Sequence, residues 1–231
     1  MDSAKGAAIA QNVGIIKERH IKTYAQAAVE EAVRKLDASD HSEIDRLIQR
    51  ERAARDTGRW VEMGLCYHPQ SHVEVSWFQG TGTNFVSQSS VIAGGKVQTF
   101  HIMSPAVVTL NGDRALAETA CTVHGLTELD GVEIDIVSQS RLLWRAQRER
   151  VGWLIFGLRA YYLSDAIITL DPTSTLNIDH AILGGLRRSY RSIAYVMAHI
   201  GFPVRDDLAG IDRPDTVKLI RAQEMLWLDT G

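Results

Sequence analysis

Asp56, His101 and His124 are the residues whose types and places could move protons. An aspartate that orients a histidine and favours its charged form makes a usable general base near neutral pH. Asp56 follows Arg55, and Arg52 lies four residues earlier on the same helical face, close enough to pair with it. The chain has eight histidines. Of these, only His101 and His124 fall inside long central strands, where two histidines on neighbouring strands of a curled sheet can face one cavity. Tyr161 and Tyr162 alternate, so one points in and one out. A hydroxyl there could polarise a carbonyl or donate a proton, and Tyr161 is taken for that role, with aromatic packing as the alternative. On strand 132–145, Asp135, Val137, Gln139, Arg141 and Leu143 share one face, while Ile136, Ser138, Ser140, Leu142 and Trp144 share the other. If the first face lines the cavity, Arg141 is a buried cation that needs an anion or a substrate oxygen. If it faces solvent, Arg141 is a surface residue. Arg55, Arg141, Gln139, Trp60 and Tyr67 complete the expected substrate-binding set.

These side chains need elements to hold them. Ser42–Trp60 reads as a helix, with Ile44, Leu47 and Ile48 at helical spacing, Ser42 as N-cap and Gly58 as its stop. Trp60–Tyr67 reads as a short helix ended by Pro69, and His72–Trp77 alternates as a strand. Gly80–Thr83 reads as a loop, and Asn84 as the cap of a helix over Phe85–Ile92. Four long strands follow in hairpin order: 99–110, 114–128, 132–145 and 153–163. Their turns are marked by Asn111-Gly112, Asp130-Gly131 and a charged turn at 148–150. The expected class is α+β, with a curved antiparallel sheet and helices on one face. Residues 1–41 read as an N-terminal helical extension, with helices near 7–18 and 21–36 and a polar break at 37–41. Residues 42–165 read as the main domain. Residues 166–231 read as a tail with helices over 187–199 and from Pro214 to about Asp229.

The 231 residues suffice for one sizeable core. Hydrophobic and charged fractions of 45% and 23% are those of an ordinary globular protein. A net charge of −3 gives no global pull toward nucleic acid. The two cysteines have no metal or disulfide spacing. No signal peptide or apolar run of membrane-spanning length is present, so a cytoplasmic protein without a membrane partner is expected. No metal is expected, because nothing resembles His-Glu-x-x-His, and there is no phosphate loop or serine elbow.

Over about residues 42–163 the chain resembles the SnoaL-like branch of the nuclear transport factor 2-like superfamily, and within it the scytalone dehydratases. Arg55-Asp56-Thr57-Gly58-Arg59-Trp60 looks like the family's Tyr-Asp-x-x-Asp-Trp segment. Gln98-Thr99-Phe100-His101-Ile102 looks like its Thr-Gln-His-Phe-Ile strand. Val123-His124 falls where a second histidine stands, and Ser140–Trp144 with Val151-Gly152-Trp153 matches the closing hairpin. The resemblance implies a cone-shaped α+β barrel with an interior pocket. Asp56 and His101 would be catalytic, with His124 and Tyr161 assisting. Arg55 replaces the family's site tyrosine, Arg141 its asparagine, and Gln139 its serine, which suits a substrate with several oxygens or a developing oxyanion. The implied activity is a cofactor-independent lyase on a hydroxylated aromatic small molecule. It would eliminate water, or formaldehyde from an aromatic diol to leave a stilbene, as in the family's lignin-dimer lyases. A non-catalytic assembly module like a ring-hydroxylating dioxygenase small subunit, or an isomerase or cyclase, is the alternative. The resemblance also implies a homo-oligomer, trimer first and dimer second.

Overall fold

A computed structural model describes residues 26, 29–31, 35, 37–95 and 97–230. The chain forms two units, Met1–Ser42 and Glu43–Gly231. In the first, the helix expected over 7–18 lies outside the described residues. So does most of that expected over 21–36, of which 26, 29–31 and 35 are helical. The polar break expected at 37–41 is helical instead, and so is Ser42. The Ser42 hydroxyl donates to the Ala38 carbonyl at 3.0 Å. That bond satisfies the hydroxyl inside a helix, which is why Ser42 is not the cap.

In the second unit, helix α1 covers 43–56 and ends where expected. Gly58 takes φ +70°, the Arg59 N–H bonds the Ala54 carbonyl at 2.8 Å, and the Gly58 N–H bonds that of Arg55. This is a Schellman closure, which needs a left-handed residue after the helix. Helix α2 (Trp60–Gly64) is shorter than expected, because Tyr67 already belongs to strand β1 (Tyr67–Val75). Strand β2 (Phe78–Thr81) occupies part of the expected loop. Helix α3 (Gly82–Ala93) is capped by Thr81, whose hydroxyl oxygen accepts the Asn84 N–H. Asn84 is thus inside the helix rather than capping it.

The strand expected over 99–110 is two strands, β3 (Gln98–Met103) and β4 (Val107–Asn111). Pro105, which has no amide hydrogen for a ladder, breaks them apart. The Asp45 carboxylate of α1 accepts the freed Ala106 N–H at 2.8 Å. Strands β5 (Arg114–Leu129), β6 (Val132–Glu149) and β7 (Gly152–Thr169) run longer than expected. Asp130 and Gly131 both take positive φ in the turn between β5 and β6, the backbone a tight hairpin requires. The sheet order is β2-β1-β7-β6-β5-β3, with β4 also on β5. Among the strands of the described residues, β1 and β7 pair in parallel and the other pairs are antiparallel. Register shifts between β6 and β7, opposite Gln139/Ser140 and Arg145/Ala146, leave Leu163 and Phe156 of β7 as extra residues and add the twist that curls so long a sheet.

Helix α4 (His180–Gly185) was not signalled by periodicity, and α5 is Arg191–His199 rather than 187–199. Helix α6 (Pro214–Asp229) begins at the expected proline. The core joins Ile44 and Ile48 of α1 to Trp144, Ile155 and Leu158 of the sheet. Helix α6 covers the other face, where Ile220 packs on Leu143 and Tyr161. Among the described residues, no helix is long and apolar enough to cross a membrane.

A Cβ at Gly58 would meet nothing closer than 3.9 Å, so its backbone angle alone resists substitution. Gly58→Ala should lower stability by about 1 kcal/mol, read as a lower urea midpoint with an unchanged slope.

Candidate active site

The end of α1 meets the middle of β3 at Asp56. Its Oδ2 accepts the backbone N–H of His101 at 2.8 Å. Its Oδ1 lies 2.7 Å from His101 Nδ1. On the far side of the ring, Arg52 Nη1 lies 3.2 Å from Nε2. A guanidinium can only donate, so Nε2 accepts, and the ring proton sits on Nδ1 and points to Asp56. Burial first, and then the Arg52 and Arg55 cations, hold His101 well below the ordinary histidine value. The ring is therefore neutral. The expectation that Asp56 favours a charged His101 is corrected here by the two arginines. Burial also lifts the Asp56 carboxyl above its usual value, against the His101 amide and both arginines, which pull it down.

The apolar stripe of α1 continues as Glu51, Arg52 and Arg55, all under 10% exposed. Tyr67 donates its hydroxyl to Glu51 Oε1 at 2.8 Å. Glu51 Oε2 stands 3.0 Å from Arg52 Nη2. Burial opposes the charge of Arg52, but Glu51 beside it keeps its pKa raised. Arg55 donates from Nη1 to Thr99 Oγ1 at 3.0 Å. Burial, and then Arg52, bring its pKa down to about 10. The expected Arg52–Asp56 pair is thus replaced: Arg52 reaches His101 and Glu51, while Arg55 Nη1 lies 3.7 Å from Asp56.

His101, Arg52 and Arg55 line a cavity whose empty space is about 840 Å³ with the open solvent at its mouth included. The inner face of β6 contributes Ile136, Ser138, Ser140 and Leu142, and β7 contributes Leu158, Ala160 and Tyr162. Trp77 and Phe85 form one wall, and Ile193 and Met197 of α5 another. Burial pushes the Tyr162 hydroxyl up to about 12, so it is a protonated donor at neutral pH. Helix α5 is set by Asp165 at the end of β7, whose Oδ2 accepts the Ile193 N–H at 2.8 Å. Among the described residues, no three His, Cys, Asp or Glu side chains are grouped to hold a metal ion.

Several expected site residues lie elsewhere. His101 pairs with Val123, and Phe100 with His124. Directly opposed residues share a face, so His124 is on the outer side. There it stacks on Phe100 at 4.5 Å and bonds Asp135 at 2.7 Å. Arg141 and Gln139 also face outward: Arg141 is 4.0 Å from Glu118, and Gln139 accepts from Ser164. Tyr161 lies under α6, its hydroxyl between Glu118 and Arg221. Its neighbour Tyr162 takes the inward place. Tyr67 is committed to Glu51 and is not in the cavity wall. Trp60 packs beside the core, outside the same wall. The residues that sequence reasoning left out of the site are Arg52, Thr99, Ser138, Ser140 and Tyr162. Arg52 had a signal. It continues the Ile44–Leu47–Ile48 stripe at the same spacing, so a charged residue occupied a core-facing position.

Comparison with known proteins agrees with this architecture. The pea pathogenicity protein 2 of Fusarium vanettenii is 24% identical over 204 residues, covering 82% of this chain and 85% of its own. A PEP2-like protein of the same fungus is 25% identical over 205 residues, covering 82% and 88%. The crystal structure of a type 2 hexachlorocyclohexane dehydrochlorinase shares the fold, with a TM-score of 0.51 at 10% identity over 62% of this chain and 97% of that one. The model of the SnoaL-like domain matches residues 37–159, more than half of the chain, and with the curled sheet and its helix-closed hollow already in view, the chain belongs to that family.

Proposed function

We propose that the chain is a cofactor-independent lyase acting on a hydroxylated aromatic small molecule. The observation that carries this reading is the 2.7 Å contact between Asp56 Oδ1 and His101 Nδ1 at the wall of an apolar cavity. A carboxylate that fixes the tautomer leaves Nε2 as the basic nitrogen. In water loss, Nε2 takes the proton from the carbon beside the one bearing the hydroxyl. The electron pair forms the double bond, and the hydroxyl leaves as water with a proton from Tyr162 or from the ring. In formaldehyde release, Nε2 takes the proton of a primary alcohol instead. The carbon–carbon bond breaks to free formaldehyde, its electron pair forms the double bond, and the neighbouring benzylic hydroxyl takes the proton from the ring and leaves as water. Arg52 and Arg55 stabilise negative charge on oxygen during either step, in a site dry enough for charge to count.

A binding module without catalysis is the second reading, favoured by Arg52 sitting on Nε2 of His101. Eight polar side chains in the cavity wall argue the other way: Arg52, Arg55, Ser76, Thr99, His101, Ser138, Ser140 and Tyr162.

Single replacements test the reading. Asp56→Asn and His101→Gln should each lower kcat/KM by roughly 100-fold or more, in assays of water loss and formaldehyde release on hydroxylated diaryl substrates. His124→Gln should leave the rate within about twofold, since a site distant from the reacting groups contributes little. Retained activity in both inner variants rejects the acid–base scheme.

The pH profile gives a second check. The native ring binds its proton less tightly than the unfolded chain does. The stability it contributes is therefore complete above about 6.5 and lost as pH falls below that value. The neutral, active form of the base persists over the same range. The acid limb of kcat/KM should lie below the ordinary histidine value. In Arg52→Met it should move upward, because one of the cations opposing protonation is gone.

A further inference from the structure

Arg52 and Arg55 are buried, and their charges are balanced by carboxylates that do not accept most of their hydrogens. Both oxygens of Asp56 are taken by His101. Glu51 Oε1 is taken by Tyr67. Its Oε2 is close to Arg52 Nη2 but not aligned for a hydrogen bond. Among the described residues, Arg55 Nε, Arg52 Nε and Arg52 Nη2 have no hydrogen-bond partner, and neither does the Ser138 hydroxyl. Arg52, Arg55 and Ser138 are each less than 10% exposed, and each lines the cavity. Aromatic rings flank the two guanidiniums. The Arg55 guanidinium lies 6.0 Å from the Trp77 ring and 5.9 Å from that of Phe85, and the Arg52 guanidinium 5.3 Å from that of Trp144. Buried donors without acceptors cost free energy that a well-placed anion recovers. Among the described residues that line the cavity there is no carboxylate to play that part.

The same arginine also blocks the base. With Arg52 Nη1 donating to His101 Nε2, the lone pair that would take a proton is engaged. A carboxylate or phenolate oxygen is a better acceptor for a guanidinium than a neutral imidazole.

We propose that the cavity takes a substrate bearing an anionic oxygen on an apolar ring, held by Arg55 and Arg52, and that this oxygen draws Arg52 off His101 Nε2 and so frees the base. The anion site stands on the arginines alone. The unmasking step rests on the lyase reading.

Benzoate, 4-nitrophenolate and methyl benzoate serve as probes of the full chain, read by calorimetry and by ¹⁵N spectra of the histidine rings. Benzoate or 4-nitrophenolate should bind about tenfold or more tightly than the neutral ester. The tighter of the two identifies the anion as carboxylate or phenolate. Arg55→Met should abolish the preference, and Arg55→Lys should keep part of it, with near-ultraviolet circular dichroism checking the fold. Saturation with the tighter anion should move the His101 Nε2 resonance toward that of an unbonded ring nitrogen in the unsubstituted protein. Equal binding of ester and anions overturns the anion site. An unmoved Nε2 signal at saturation overturns the unmasking. His101→Gln separates the two readings: if it keeps the anion preference while no elimination is found in the unsubstituted protein, the lyase reading fails and the anion site survives.

Discussion

Asp56 stands in the last turn of a helix, where the macrodipole disfavours a carboxylate. Two hydrogen bonds to a single residue, His101, offset that disadvantage. One bond goes to the main chain and sets the height of the strand against the helix. The other goes to the ring and sets its tautomer. The helix end, the strand register and the direction of the imidazole are thereby one constraint. Gly58 completes it from the other side, since only a left-handed residue there lets the chain turn away directly after Asp56.

The charges around this pair behave as a group. Glu51, Arg52, Arg55 and Asp56 come from two adjacent turns of α1 and sum to zero, and each arginine rests on aromatic or aliphatic surface. Isolated, any one of them would be too costly to bury. Together they carry a polar patch into a hollow whose other walls are mostly apolar. The neutral state of His101 follows from this group, because two cations within reach outweigh one carboxylate when burial already disfavours the imidazolium.

The sheet is held open by packing on both faces. On its inner side α1, α3 and α5 bound the cavity. On its outer side α6 is fastened by paired charges, with Arg145 and Arg159 both meeting Glu224, and Arg159 also meeting Glu74. Tyr161 and Arg141 belong to that outer network and not to the cavity. Leu158, Ala160 and Tyr162 alternate along β7 into the cavity, and which of the two strand faces is the inner one is set by the helices that cover it.

The α1 stripe, Gly58, the hairpin turns at Gly112 and Gly131, and the order of the long strands were all legible in the sequence. Each is a local rule of spacing or backbone angle, and motif resemblance along the chain placed Asp56 and His101 together. Alternation along β6 correctly divided its side chains into two faces. It could not say which face looks inward, because that is decided by which side the helices cover. For the same reason His124, Tyr161, Arg141 and Gln139 could be read as cavity residues and were not. Local chemistry along the chain determined the elements and their order, and the motif resemblance paired Asp56 with His101. Only the folded sheet decided that Arg52 caps the histidine and that Ser138, Ser140 and Tyr162 face the hollow, since those contacts join residues dozens of positions apart through a register that no single segment contains.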